Sequence, residues 1–324
     1  PSLALTDGGP SQAVRRMEEA LAAEGIVVET ATTDDDGPGR HLDRPLGVPV
    51  FEEGGRCRRY FRKNTDRYKI SWPLARWLLG SVRQYDVVHV HALFSFASVV
   101  AAWAALRAGV PLVIRPLGTL NGYGLQARRR GLKRWSIRFV EGPLVRRAGA
   151  IHVTSEDERR EVESLGLQAR CVVIPLAVPP PLLLSCPVEL VWPELCKSRQ
   201  VLFLSRLDRK KNVEGLLQAW AKLEIDFPDC RLCIAGSGDP AYVATLHALA
   251  AMLGLQRVDW VGQVGGEYKT ALLQQATCFV LPSHSENFGI AVAEALAAGL
   301  PSIVGEGVAL SQDIVEAGAG LSVP

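Results

Sequence analysis

The sequence predicts an α/β protein of two domains, each built around a doubly wound parallel sheet, that face each other across a cleft. Short apolar runs typical of buried strands alternate with helical segments in both halves of the chain. The length of 324 residues is more than a single hydrophobic core usually organises. Because a proline-rich segment separates the halves, we place a first domain at residues 1–180, a linker at 181–199 and a second domain at 200–324.

Composition narrows the class of protein. Hydrophobic residues make up 48% of the chain, but no apolar run approaches the roughly 20 residues of a membrane helix. We expect no secretory leader, because Pro1 is not followed by a basic segment and an apolar core. The seven cysteines are scattered, and Cys230 and Cys233 form a C-x-x-C pair without a second pair at zinc spacing. We therefore expect reduced thiols, no metal and a cytoplasmic location.

Charge is divided unevenly between the halves. Residues 1–180 carry 26 Lys and Arg against 19 Asp and Glu, a net charge of +7, whereas residues 181–324 carry 10 against 15, a net charge of −5. The basic half predicts an anionic partner there. The basic, aromatic stretch from Arg56 to Lys69 fits a nucleic-acid patch or a surface segment that contacts an acceptor or a membrane. We predict no nucleic-acid partner.

A basic helix is predicted from Gln126 to Val140. Its large apolar residues stand among arginines and lysines, a pattern that fits a helix lying on an anionic membrane. An ordinary helix that packs its apolar side inward has the same pattern. A peripheral contact of the first domain with the inner face of the membrane therefore stays open.

The first half opens with a glycine loop and a helix. Gly8 and Gly9 can bring backbone amides close to a phosphate, although a plain turn would have the same sequence. Ser11 is expected to cap the helix. A strand is predicted from Ile26 to Ala31, and the polar stretch from Thr32 to Arg44 is expected to be a solvated loop.

Three further strands are predicted in this half, at residues 85–91, 110–115 and 148–154. His91 stands at the carboxyl end of the first of them, where ligands bind in open α/β sheets, so it is a functional candidate. His89 lies inside the same strand and is expected to be structural. Thr154 and Ser155, followed by Glu158, predict a capped helix start after the third strand.

The second half contains strand-like runs at residues 200–205, 231–235, 257–262, 278–281 and 301–304. Arg206 and Lys211 follow the first of these and precede a helix. Two cations at this place can neutralise a diphosphate leaving group without a metal.

The stretch from Ser283 to Val304 reads SHSENFGIAVAEALAAGLPSIV and predicts a loop, a helix and a strand. Glu286 precedes the helix and Glu294 lies about two turns into it, so their backbones are roughly 12 Å apart. The amides at the helix N-terminus favour a phosphate, and they belong to Asn287, Phe288 and Gly289.

Two carboxylates beside a phosphate are reasonable partners for hydroxyl groups, because a carboxylate is a strong acceptor. A nucleotide sugar offers sugar hydroxyls at one end and ribose hydroxyls at the other. An amphipathic helix with two exposed glutamates would show the same spacing.

The segment ENFGIAVAEALAAGLP, with its E-x7-E spacing, together with the R-x4-K pair Arg206 and Lys211, closely resembles the retaining glycosyltransferases of family 4, which have the GT-B fold. The resemblance implies that Glu286 contacts the donor sugar and Glu294 the ribose. It implies further positions around the two substrates: Gly8 and Gly9 at the donor phosphates, Phe288 and Gly289 with amides toward the donor, Val264 near the base and His91 near the acceptor.

The resemblance also implies an activity. It is the transfer of a sugar, with retention, from a nucleotide-diphosphate sugar to a glycan, lipid-linked or small-molecule acceptor, as in polysaccharide biosynthesis, without a cofactor or metal. A nucleotide-sugar epimerase of the same fold and a protein that only binds are the alternatives. Leu176 and Ala177 stand where the family has an Asn-Gly pair. The family has a strand before Pro1 and helices after Pro324, so we expect a chain truncated at both ends.

Overall fold

The computed structural model describes residues 9–52, 56–66, 68–120, 131, 135–178 and 198–324. The chain divides into two compact units, Pro1–Ala177 and Val178–Pro324. Within the described residues, both are α/β with parallel sheets, which confirms the predicted class. In this part of the chain no helix is long and apolar enough to cross a membrane.

Unit 1 contains a small mixed sheet and a larger parallel sheet in its described residues. Helix α1 (Gly9–Ala23) precedes the small sheet, in which β1 (Glu29–Thr33) pairs in parallel and β2 (Pro49–Glu52) antiparallel with the central β3 (Arg56–Phe61). Because α1 already begins at Gly9, Ser11 lies inside the helix, where it is buried, and the prediction that it caps the helix is wrong.

The basic stretch around β3 is built into the small sheet through ion pairs. The buried Arg58 pairs with Glu18 of α1 at 2.5 Å and with Glu52 of β2 at 2.5 Å. Arg59 pairs with Glu29 of β1 at 2.7 Å. The arginines of this strand therefore tie α1 and the edge strands together.

The stretch predicted as a solvated loop, residues 32–44, is buried at its start, contrary to the prediction, and exposed at residues 38–41 and 43–44. Asp34 and Asp35 are buried. Asp34 accepts hydrogen bonds from the Lys63 amide at 2.7 Å and from Arg62 at 3.2 Å, while Asp35 pairs with the Lys63 ammonium at 2.8 Å. Lys69 also pairs with Asp35. Cations that follow β3 thus compensate carboxylates that follow β1.

The parallel sheet of unit 1 has the order β4-β5-β6-β7, with strands Val88–His91, Leu112–Arg115, Ala150–Val153 and Cys171–Val173. Its helices are α2 (Trp72–Ser81), α3 (Phe96–Ala108), α4 (Gly142–Arg147), which continues a π-helical turn at Ile137–Glu141, and α5 (Glu156–Ser164). Ser155 caps α5 by accepting from the Glu158 amide at 3.1 Å, as predicted. Most of the predicted helix 126–140 and most of the linker lie outside the described residues.

Unit 2 is a six-stranded parallel sheet of order β10-β9-β8-β11-β12-β13. The strands are β8 (Arg199–Leu204), β9 (Cys230–Ala235), β10 (Val258–Gly262), β11 (Ala276–Leu281), β12 (Ser302–Gly305) and β13 (Gly320–Val323). The helices are α6 (Val213–Leu223), α7 (Pro240–Met252), α8 (Gly266–Gln275), α9 (Ile290–Ala297) and α10 (Ser311–Glu316). Phe203, Ile234 and Phe279 are fully buried in the three central strands, as expected for strands covered on both faces. Loops that follow β8 and β11, which are neighbours in this sheet, meet at its carboxyl edge.

Candidate active site in the second unit

The start of α9 is set by a glycine. Gly289 adopts φ +87°, a left-handed conformation that side chains rarely take, and a Cβ there would lie 3.2 Å from Val308. No described side chain caps the helix at this end, so its first amides have no side-chain acceptor there. A helix N-terminus of this kind favours an anion.

The loop before α9 is held by main-chain hydrogen bonds to two other loops. The His284 amide donates to the Lys210 carbonyl at 2.9 Å, and the Glu286 amide donates to the Gly307 carbonyl at 2.7 Å. The first bond ties the loop to the turn after β8 and the second to the turn after β12. The backbone at Glu286 is therefore fixed from both sides.

Lys211 and Glu286 form an ion pair at this edge. Lys211 closes the 3-10 turn Arg209–Lys211, which Asp208 caps by accepting from the Lys210 amide at 3.0 Å. Only 8% of Lys211 is exposed, and burial lowers the pKa of its ammonium, an effect that the charge of Glu286 partly offsets. Arg206, in the same loop, is exposed and acts electrostatically on Lys211. The structure thus joins Lys211 to Glu286 and places Arg206 in the same loop as Lys211.

The loop that carries Arg206 packs against glycines of the loop after β9. The Leu207 amide donates to the Ser237 carbonyl at 2.9 Å. A Cβ at Gly236 would collide with the Ser205 carbonyl, and one at Gly238 with the Leu207 carbonyl. Gly236 and Gly238, in the segment GSGD at residues 236–239, therefore permit a backbone-to-backbone contact that positions Arg206.

Glu294 forms a second ion pair, which the sequence did not reveal. It is 8% exposed and lies 2.5 Å from the Lys269 ammonium, which α8 supplies. Nothing in the spacing of the chain connects a lysine of α8 with a carboxylate on α9. Each of the two predicted glutamates is thus paired with a lysine from another segment.

The remaining predicted residues are distributed between the two units. Val264 is half-buried between β10 and α8, and Phe288 is buried directly before α9. Asn287 is half-buried in the same loop. Two of the predicted residues belong to the described part of unit 1: His91 ends β4 and Gly9 begins α1. Gly8 lies outside the described residues. In the ranges that the structure describes, no group of three or more His, Cys, Asp or Glu could hold a metal ion.

Comparison with known proteins gives the class. The family description "Glycosyl transferase 4-like domain" matches residues 8–177, and "Glycosyl transferases group 1" matches residues 192–324. The chain therefore belongs to the group 1, family 4-like glycosyltransferases, and it is a glycosyltransferase.

Individual relatives fit this class. A phosphatidyl-myo-inositol mannosyltransferase of Mycolicibacterium smegmatis is 32% identical over 323 residues, covering 98% of this chain and 77% of the relative. A GDP-mannose:cellobiosyl-diphosphopolyprenol alpha-mannosyltransferase of Xanthomonas oryzae is 28% identical, covering 94% and 80%. The solved sucrose-phosphate synthase of Thermosynechococcus elongatus has a TM-score of 0.78 at 22% identity, covering 98% of this chain and 80% of that chain. This likeness confirms the predicted GT-B fold.

Proposed function

We propose that the protein transfers a sugar, with retention and without a metal, from a nucleotide-diphosphate sugar to a lipid-linked, glycan or small-molecule acceptor. The observation that carries the proposal is the arrangement around α9, a helix N-terminus without a side-chain cap and two lysine–carboxylate pairs beside it. Its cations and amides suit a diphosphate, and its carboxylates suit hydroxyls. The lipid-containing substrates in the names of the two mannosyltransferases support a lipid-linked acceptor.

In this proposal each residue has one task. Arg206, Lys211 and the amides of Asn287, Phe288 and Gly289 bind the diphosphate and stabilise the negative charge that grows on it as it leaves. Glu286 accepts from a hydroxyl of the donor sugar.

The nucleoside end of the donor and the acceptor have their own residues. Glu294 accepts from a ribose hydroxyl, and Val264 borders the base. Gly8 and Gly9 take the role that the family resemblance implies, contact with the donor phosphates. His91 serves the acceptor side.

The transfer step balances without a further reactant. The bond between the sugar's anomeric carbon and the diphosphate oxygen breaks, and the acceptor hydroxyl oxygen bonds to the same carbon on the same face. The hydroxyl proton passes to the departing phosphate oxygen, which is a base on that face. Retention of configuration follows from attack on the face that the leaving group has vacated.

Membrane contact belongs to the same proposal. Trp135 and Phe139, beside Arg138, are 55% and 58% exposed in unit 1. Exposed aromatic rings next to a cation suit the surface of an anionic membrane, and we place the enzyme in the cytoplasm at its inner face. Sedimentation with vesicles that contain anionic lipid should deplete the parent protein and leave Trp135→Ala/Phe139→Ala in solution.

The experiment that tests the activity is incubation with a panel of nucleotide sugars and an acceptor mixture, read by proton NMR at the anomeric position. We expect a glycoside with the donor's anomeric configuration, formed equally in EDTA. An inverted product or activity that EDTA abolishes and a divalent metal restores contradicts the corresponding part of the proposal. An altered nucleotide sugar without any glycoside identifies an epimerase.

A further inference from the structure

One face of the parallel sheet in unit 1 carries a cluster of basic side chains. It is formed by His89 and His91 of β4, Arg115 of β5 and His152 of β6. Side chains two residues apart on a strand share a face, and His91 stands opposite Arg115 in the register of the sheet. The ring centroids of His89 and His91 are 4.4 Å apart, and those of His89 and His152 are 5.5 Å apart. The cluster is therefore continuous across three strands.

Arg115 carries a buried charge that lacks a protein partner among the described residues. It is 1% exposed, and its Nε and Nη2 atoms are buried without a hydrogen bond. Glu158 acts on it only at a distance, because no ion pair forms between them in that part of the chain. The Glu158 carboxylate instead accepts from the Gly118 amide at 2.8 Å and the Thr154 amide at 2.7 Å. A guanidinium stays protonated in proteins, so this charge calls for an anion that the described residues do not supply.

The histidines add hydrogen-bonding capacity without adding charge. Burial lowers the pKa of His91 well below its ordinary value and that of His89 to about 4, so both rings are neutral near pH 7. The Nδ1 atom of His91 and the Nε2 atom of His89 are also buried without a hydrogen bond to any described group. A neutral imidazole can present an N–H donor at such an atom. His91 and Arg115 together thus offer two kinds of donor to one oxyanion.

The position of this pair is that of a ligand site. His91 and Arg115 end two adjacent parallel strands, at the edge where open α/β sheets bind ligands. His91 is only half-buried, so the pair is not sealed from this edge. The loops that leave the two strands place Ala92, Phe94 and Leu117 at φ values of +66°, +58° and +57°. Left-handed non-glycine residues are strained, and such strain concentrates at ligand and active sites.

We propose that His91 and Arg115 form a binding site in unit 1 for an anionic group, a phosphate or a carboxylate. Arg115 binds two oxygens through its planar fork and His91 donates to one of them. This site is additional to the diphosphate site of unit 2. Only the source of the anion rests on the proposed function, in which a substrate carries this group.

The experiment is a thermal-shift titration of the protein with inorganic phosphate and with acetate, against sodium chloride at equal ionic strength. At ten times Kd we expect phosphate to raise Tm by about 2–4 °C. Arg115→Met should lose this shift. Arg206→Met, the matched control in unit 2, should keep the part of the shift that phosphate produces at Arg115, because Arg206 belongs to the other anion site. Nucleoside diphosphate should still stabilise Arg115→Met, so that a failure here is distinguishable from a failure of the proposed donor site.

A second reading separates ligand binding from a structural role. Without phosphate, Arg115→Met should melt at or above the parent temperature, because the substitution removes an uncompensated buried charge. A structural arginine would lower Tm in every buffer. If Arg115→Met does not fold, Arg115→Lys decides: a reduced phosphate shift at a Tm near that of the parent supports the site. The proposed site is overturned if phosphate does not raise the Tm of the parent, or if it raises the Tm of Arg115→Lys equally. It is also overturned if Arg206→Met abolishes the shift and Arg115→Met retains it.

The source of the anion is read from a third arm. If acetate and phosphate raise Tm by similar amounts and Arg115→Met loses both shifts, the site accepts either group. If only phosphate raises Tm, the anionic group of the substrate is a phosphate. If inorganic phosphate slows sugar transfer in the parent, and does so competitively with the acceptor, the acceptor carries the anion. Competition with the nucleotide sugar that Arg115→Met abolishes and Arg206→Met retains assigns the anion to the donor sugar, and competition with the opposite dependence places the phosphate at the site of unit 2 and overturns the proposal.

Discussion

The ion pair between Lys211 and Glu286 should contribute to stability and to catalysis by separable routes. Lys211→Met removes the cation but leaves the carboxylate of Glu286 in a site where only 15% of that side chain is exposed. Glu286→Gln removes the opposite charge, and the double variant Lys211→Met/Glu286→Gln removes both. The four proteins form a double-mutant cycle.

The expected magnitudes follow from burial. Exposed ion pairs contribute up to about 1 kcal/mol, whereas breaking a buried pair costs about 3–5 kcal/mol. A pair whose side chains are 10% and 15% exposed lies between these limits. We expect Lys211→Met to lose about 2 kcal/mol and the double variant to recover at least half of this. In activity, loss of one charge-assisted contact to the diphosphate, about 1.5–3 kcal/mol, lowers kcat/KM by about 10- to 150-fold.

Stability is measured by urea unfolding and activity by release of nucleoside diphosphate at subsaturating donor. Lys210→Met is the matched control, because it neutralises the neighbouring lysine and leaves the pair with Glu286 intact. Recovery of stability without recovery of activity in the double variant is the expected result. If activity returns together with stability, Lys211 acts on the fold alone and the assignment of the diphosphate contact is refuted.

Three further predictions concern other parts of the molecule. Lys269→Met should weaken nucleoside diphosphate binding about 5- to 50-fold and Lys269→Arg much less, because in Lys269→Met Glu294 loses the cation that holds its carboxylate. Calorimetry with the ribose and 2′-deoxyribose forms of the nucleotide should show a loss of affinity confined to the ribose form. An equal loss for both forms would contradict the prediction. The pKa of His89 is about 4 in the folded state against an ordinary 6.5, so between these pH values the unfolded chain binds more protons than the folded one. The free energy of unfolding should therefore fall as pH drops from 6.5 to 4, by up to about 1.4 kcal/mol per pH unit. In urea unfolding measured over this pH range, His89→Gln should show a weaker dependence on pH than the parent. Gly289→Ala should lower the free energy of unfolding by about 1–3 kcal/mol, since alanine at φ +87° is strained and its Cβ meets Val308; Gly299→Ala, also left-handed but in open space, is the control and should lose less.

The sequence was most informative where a single segment determines its own structure. Five strands of unit 2, β8 to β12, are apolar runs bounded by glycine, proline or charge, and they lie within one or two residues of their predicted bounds. The sixth strand, β13, was not predicted. The cap formed by Ser155 and the start of α9 after Gly289 are likewise local. The spacing of Glu286 and Glu294 could be read because both belong to one loop and helix.

The sequence failed where partners come from distant segments. A row of aspartates after β1 resembles a solvated loop, and only the parallel pairing of β1 with β3 brings Lys63 to Asp34 and Asp35. The pairing of Lys269 with Glu294 depends in the same way on how α8 and α9 pack on the sheet. Long side chains such as lysine reach across several ångströms, so a shift of one helical position would change the partner.

The loops of unit 2 that carry the proposed donor residues are joined to one another by main-chain hydrogen bonds, at Leu207 with Ser237, His284 with Lys210 and Glu286 with Gly307. Main-chain bonds do not depend on which side chains the residues carry, provided that the glycines at the close approaches are kept. A residue such as His284, which is exposed on one of these loops, can therefore be exchanged without moving the backbone that holds Arg206 and Glu286. Under the proposed function, such a scaffold allows donor preference to change while the catalytic residues keep their positions. Exposed positions on these loops are therefore the ones to randomise when a different donor is wanted.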